Sequence, residues 1–188
     1  MAVLPIRIMG DPVLHAPASP VAEITDEIRT LVADMFDTMD AAPGVGLAAP
    51  QVGVGLRIYT YTYQDDDGAP WRGVIINPEL WMTPPVPGSP DPDEESEGCL
   101  SFPGERFALR RSDRVLVTGI DLDGAPVRIE VDGWRARIMQ HEFDHLDGIL
   151  YIDRLDDSDW KTTQKIARKR GWGKPGAQWM PGVDDLEG

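Results

Sequence analysis

The 188-residue chain has one cysteine and three histidines, and its 18 Lys and Arg are outnumbered by 32 Asp and Glu, giving a net charge of -14. A single cysteine excludes an internal disulfide, which fits a reducing compartment. An acidic surface repels phosphate, so neither specific DNA binding nor general nucleic-acid binding is expected. No apolar run approaches the ~20 residues that a membrane-crossing helix requires, so no membrane partner is expected. The opening MAVLPIRIMGDP has neither the basic leader nor the apolar length of a secretory signal. These absences make the cytoplasm the expected location. No internal repeat is visible, which sets solenoids and propellers aside. What is present is 41% hydrophobic residues, over a length that suits one domain with its own core. Residues 1–170 read as that single catalytic domain. Residues 171–188, rich in Gly, Pro and acid, read as a weakly ordered tail in which Trp172 and Trp179 could act as anchors.

The scarce residues are concentrated. His141 and His145 stand in the run QHEFDHL (140–146), four apart, so on a helix both imidazoles project from one face toward one point. Glu142 lies one position round. This is the H-E-x-x-H spacing, in which two His hold a metal and the Glu handles protons. Helix boundaries are legible too: Asp132 can serve as N-cap, and Gly148 stands where helices end in a left-handed residue. Trp134, Ile138, His141 and His145 recur at helical spacing, directing the ligands inward.

The rest of the chain reads as α+β. Thr25 can cap a helix whose apolar stripe is Ile28, Leu31, Val32, Met35 and Met39, ending near Pro43-Gly44. GLRIYTYTY (55–63) and GVII (73–76) read as strands, and 114–122 with 125–131 flank the hairpin turn Asp123-Gly124. Strands in hairpins with helices at the two ends imply antiparallel sheets packed around a central metal-binding helix rather than a doubly wound sheet. The stretch PPVPGSPDP and the acidic run that follows it, within 84–97, read as a surface loop.

Two short segments bear on what a metal would do. GVGLAAPQ (44–51) superficially matches a dinucleotide fingerprint, but it follows a predicted helix and Pro50 blocks a helix from opening there. It reads instead as a tight loop whose small residues let main chain approach a ligand, with the Gln51 amide as an uncharged donor. EGCLS (97–101) holds Cys99, ordinarily a buried hydrophobe, but here in the company of two helical histidines. Cys99, His141 and His145 make three ligands and leave a fourth position open, as catalytic sites do. A closed structural zinc site would need a fourth ligand, for which His15 is the remaining histidine.

GVGLAAPQ, EGCLS and QHEFDHLDG, in this order, resemble the three signature motifs of the peptide deformylases; DPVLH (11–15) and GILYIDR (148–154) are also similar. The resemblance spans about residues 3–155 and is greatest to bacterial members with a Pro-rich insertion before the cysteine motif. It implies removal of the N-formyl group from the terminal methionine of nascent peptides. In that reading Cys99, His141 and His145 ligate the metal and Glu142 is general base and acid. Gln51 and the backbone N–H of Leu100 would stabilise the developing oxyanion. The resemblance further implies that Gly46 offers main chain to the peptide and that Val45, Ile138 and the His141 ring border the methionine pocket. By the same resemblance Arg106 would lie near the site, and Glu97 would brace the loop. Trp134 departs from the pattern, standing where a smaller apolar residue is expected. The implied cofactor is one divalent metal, Fe²⁺ in the family, with Zn²⁺, Ni²⁺ or Co²⁺ able to substitute.

Other readings stay open at this stage. A metalloprotease would use the same helix, though no histidine follows His145 to serve as its third ligand. A binding protein without turnover could keep the same shell. Lys161, Lys165, Arg168, Lys169, Arg170 and Lys174 form a basic segment, read either as a solvated helix face or, for an enzyme acting on nascent chains, as a ribosome contact.

Overall fold

The computed structural model describes residues 2–64, 68, 70–184 and 186; tail residues 185, 187 and 188 lie outside the described residues. Helix α1 (Asp26–Ala41) follows Thr25 and carries Asp26 and Glu27 in its first turn, where negative charge suits the helix dipole. Its inward face is Val32, Met35, Thr38 and Met39, with Ile28 and Leu31 half-buried, the expected stripe. It stops as Ala42 turns extended (ψ 149°) ahead of Pro43, whose ring disfavours helical backbone in the preceding residue.

The main sheet has five antiparallel strands in the order β2 (Gly46–Ala48), β3 (Ile58–Tyr63), β4 (Trp71–Met82), β7 (Arg114–Ile120) and β8 (Pro126–Asp132). Two departures from the sequence reading stand out. GVGLAAPQ is not all loop: Gly46–Ala48 pairs with Tyr59–Tyr61 as an edge strand, a long-range pairing that no local signal announces, and a 3-10 turn follows over Ala49–Val52. The second predicted strand is 12 residues long rather than four. It runs through Asn77-Pro78, an ordinary stop signal, because Asn77 takes a left-handed φ of 51° at a register shift between Ile76 and Glu79. The Asn77 side chain holds that kink, accepting from Val21 N (2.8 Å) and donating to Val21 O (2.9 Å).

The β7–β8 hairpin turns as expected at Asp123-Gly124, where Asp121 Oδ1 accepts from the amides of Asp123 and Ala125. Helix α2 (Gly133–Leu146) then starts with no connecting loop. Asp132 occupies the N-cap position with extended backbone, yet its side chain makes no capping bond; the sharp turn is made by Gly133 at φ 54°. Gly148, at φ 75°, closes the other end. α2 lies in the cup of the sheet, where Ala136, Ile138 and Met139 pack with Tyr59, Ile75, Val115 and Val117. A larger core gathers α1, the N-terminal segment and the hairpin of β5 (Ser96–Cys99) and β6 (Phe102–Ala108). Antiparallel sheets therefore enclose a central helix.

Helix α3 (Asp157–Arg170) is capped by Asp156, which accepts from Ser158 N and Asp159 N, and ends at Gly171 with φ 73°. Beyond it, Trp172 meets Phe102 edge-on at 5.2 Å, and β9 (Gln178–Trp179) pairs with β1 (Ile6–Arg7). Both tryptophans thus anchor the C-terminal segment. Among the described residues no helix is long and apolar enough to cross a membrane.

Candidate metal centre

Alternation in β5 puts Glu97 and Cys99 on one buried face while Ser96 and Gly98 stay half-buried. That face meets α2, whose turn sets His141 above His145 with ring centroids 4.9 Å apart. Cys99 Sγ lies 3.3 Å from His145 Nε2. One donor atom from each of Cys99, His141 and His145 falls within 4.8 Å of the others, close enough to converge on one ion. His15 does not join them; its Nε2 accepts from Gly10 N at 3.0 Å.

Glu97 orients the upper ring. Its Oε1 is 2.6 Å from His141 Nδ1, which leaves Nε2 toward the site. The same carboxylate accepts from Arg111 Nη2 (2.7 Å), Arg111 Nε (3.1 Å) and Arg137 Nη1 (3.0 Å). Burial alone would raise the Glu97 pKa, but Arg111 and then His141 hold it far below the usual carboxylate range. Arg111 also donates to Asp144 Oδ2 at 2.6 Å, and Arg154 closes on Asp144 through Nε and Nη2 at 2.6 and 2.5 Å. Burial, then the positive His141 and Arg111, push His145 well below its ordinary pKa, toward the neutral form that ligates metal.

Gln51 sits opposite, 1% exposed. Its Oε1 accepts from Ala48 N (2.8 Å), which turns Nε2 toward Ser101 Oγ (3.3 Å) and Cys99 Sγ (3.8 Å). Ser101 N donates to Cys99 Sγ at 3.4 Å, while Trp179 Nε1 donates to Leu100 O at 2.9 Å. Glu142, 3% exposed, has no hydrogen-bond partner for Oε2 among the described residues. Burial raises its pKa to about 7. A side chain at Gly46 would run into that carboxylate, so glycine at this position lets Glu142 stay where it is.

The donors open onto a cleft of about 390 Å³. Val45, Gly46, Gln51, Cys99, Leu100, Arg106, Ile138, His141 and Glu142 all line it; His145 lies behind, 1% exposed. Arg106 donates to Ser96 O (2.9 Å) at the rim. Trp134, 39% exposed, also lines the cleft, with the Arg137 guanidinium 5.3 Å from its ring centroid. Sequence reasoning missed Tyr63 and Arg137 on the wall, and Arg111, Asp144, Arg154 and Ser101 behind it. Asp144 carried a signal: it follows His141 by three residues, on the same inward face. Arg111 carried none, since nothing local marks an arginine as buried.

A cysteine sulfur on a hairpin, with two imidazoles and a buried carboxylate on a helix inside antiparallel sheets, is the donor set of a metallohydrolase. Comparison with known proteins narrows the class. The profile of the polypeptide deformylase family matches residues 3–161, and the chain belongs to that family. A peptide deformylase of Mycolicibacterium smegmatis is 50% identical over 189 residues, covering 97% of this chain and 96% of the relative. One from Rhodococcus opacus is 50% identical over 187 residues, covering 97% and 95%. Among solved structures, the peptide deformylase of Legionella pneumophila superposes with a TM-score of 0.77 at 36% identity, covering 90% of this chain and 96% of that one. That of Ehrlichia chaffeensis in complex with actinonin gives 0.79 at 34% identity, covering 90% and 98%.

Proposed function

We propose that this chain hydrolyses the N-formyl group from the terminal methionine of newly synthesised polypeptides, releasing formate and a free amine. The observation that carries this reading is the buried Glu142 carboxylate, its Oε2 without a partner among the described residues, beside the Cys99, His141 and His145 donors at the cleft. A divalent metal held by those three residues would supply Lewis acidity toward the formyl oxygen and make water a better nucleophile. Glu142, made more basic by burial, takes the proton of the attacking water and returns it to the departing amine nitrogen. As the carbonyl oxygen gains charge, Gln51 Nε2 and the Leu100 N–H donate to it. Gly46 offers main chain to the peptide, Val45, Ile138 and the His141 ring border the methionine side chain, and Arg106 stands at the rim.

In Glu142→Gln, which keeps the shape and the metal ligands, formate release from a formyl-methionyl peptide should fall about 10²- to 10⁴-fold. Near-normal turnover would overturn the role of Glu142, and cleavage of an unformylated peptide backbone would favour a protease. We assign Fe²⁺ as the resident ion on family resemblance; the donor set also accepts Zn²⁺, Ni²⁺ and Co²⁺. Metal analysis of protein purified without oxygen tests this, and full activity with zinc as its sole metal would defeat it.

We place the protein in the cytoplasm, where bacterial nascent chains carry the formyl group, and the ribosome is the partner that this substrate implies. Lys161, Lys165 and Arg168 share one exposed side of α3 with Trp160 and Gln164. This supports docking on ribosomal phosphate despite the acidic whole. Co-sedimentation unaffected by reversing those three charges would remove the contact.

A further inference from the structure

The family profile ends at residue 161, yet the centre is touched from residue 179. Leu100 and Ser101 share one peptide unit. Its carbonyl, Leu100 O, accepts from the buried Trp179 indole at 2.9 Å; its N–H, on Ser101, points the other way and donates to Cys99 Sγ at 3.4 Å. Polarising a carbonyl strengthens the N–H of the same amide as a donor, and fixing one end of a planar unit fixes the other. The carbonyl of the next unit, Ser101 O, accepts from Met9 N at 2.8 Å. Met9 lies two residues past β1, the strand to which β9 and Trp179 are paired, so the two segments hold adjacent peptide units of this turn.

Trp179 earns no such contact by packing alone. It is 3% exposed, and its N–H would be a costly orphan there without an acceptor. The acceptor it finds sits in the turn between the metal-ligating cysteine and β6. Hydrogen bonds to a ligating sulfur draw electron density from it and govern how tightly and in what electronic state the metal is held.

We propose that Trp179 is a positioning residue for the Cys99 thiolate, acting through the Leu100–Ser101 peptide. The proposal rests on Cys99 being a metal ligand. Trp179→Phe in the full-length, Co²⁺-loaded protein removes the N–H and keeps an aromatic ring. The expected result is a shifted thiolate-to-cobalt charge-transfer band and about three- to tenfold faster metal loss to a chelator. KM for a formyl peptide should hold while kcat falls. Trp172→Phe, which removes an indole of the same segment that meets Phe102 edge-on, should leave the band unmoved.

If Trp179→Phe loosens the fold, 3-benzothienylalanine at position 179 keeps the bicyclic volume and drops only the donor. An unchanged band and unchanged metal loss in that protein overturn the proposal. A wild-type protein without any thiolate-to-cobalt band would instead defeat the metal-centre reading itself, so the two failures are distinguishable.

Discussion

The imidazole side of the centre and the sulfur side are held by different chemistry. His141 and His145 ride on a helix backed by Glu97, Arg111, Arg137, Asp144 and Arg154, whose bonds are charge-assisted and mostly 2.5–3.1 Å. Cys99 rides on a hairpin turn held by neutral donors: the Ser101 amide at 3.4 Å, the Gln51 amide at 3.8 Å and, one peptide away, the Trp179 indole. Buried charges left unpaired are costly, so the network holds the His141 ring and its helix firmly, while His145 Nδ1 has no hydrogen-bond partner among the described residues. Neutral bonds contribute less each and leave the sulfur open to adjustment. The charged network is concentrated under His141, and neutral bonds under the cysteine.

The sharpest break of that contrast is Asp144→Ala. It strips Arg111, with only 5% of its side chain exposed, of one carboxylate and Arg154 of its partner. The expected cost is about 3–5 kcal/mol in urea unfolding. A loss under about 1 kcal/mol would mean that charge is not what secures the imidazole side.

Gln51→Ala comes next. Removing the proposed oxyanion donor should raise the barrier by about 2.7–4 kcal/mol, a loss of a hundredfold or more in kcat, with the three proposed metal ligands left in place. Near-normal turnover would take Gln51 out of the mechanism. The variant also leaves the buried Ala48 amide without its 2.8 Å acceptor, so a modest fall in stability should accompany the rate loss.

Ser101→Ala should be the mildest. It deletes a neutral 3.3 Å bond to Gln51 and should cost about 1 kcal/mol, with the histidine side untouched. A penalty as large as that of Asp144→Ala would erase the proposed asymmetry.

What could be read locally follows the same division. α1 and α2 announce themselves through apolar residues at helical spacing, and the β7–β8 hairpin through Asp-Gly, because such signals act within a few residues. β2 and the far half of β4 do not, since each depends on partners distant in sequence: Tyr59–Tyr61 for the one, Val21 and β7 for the other. The same holds at the centre. His141, Glu142 and His145 are set by the period of one helix, whereas Arg111 looks like an ordinary surface residue and Trp179 like a mere anchor of the tail until the chain folds.

By itself the amino-acid sequence determined the candidate ligand types, their order, the helix that carries two of them and the glutamate proposed to handle protons beside them. All of these are matters of residue chemistry and a 3.6-residue repeat. Tertiary structure alone decided that Cys99 meets His145, that Glu97 turns His141, and that Glu142 is buried with Oε2 unpartnered among the described residues while Gly46 makes room for it. It also brought a tryptophan from near the chain's end against the peptide beside the sulfur. Burial and long-range hydrogen bonding depend on which surfaces meet, and no local pattern encodes that.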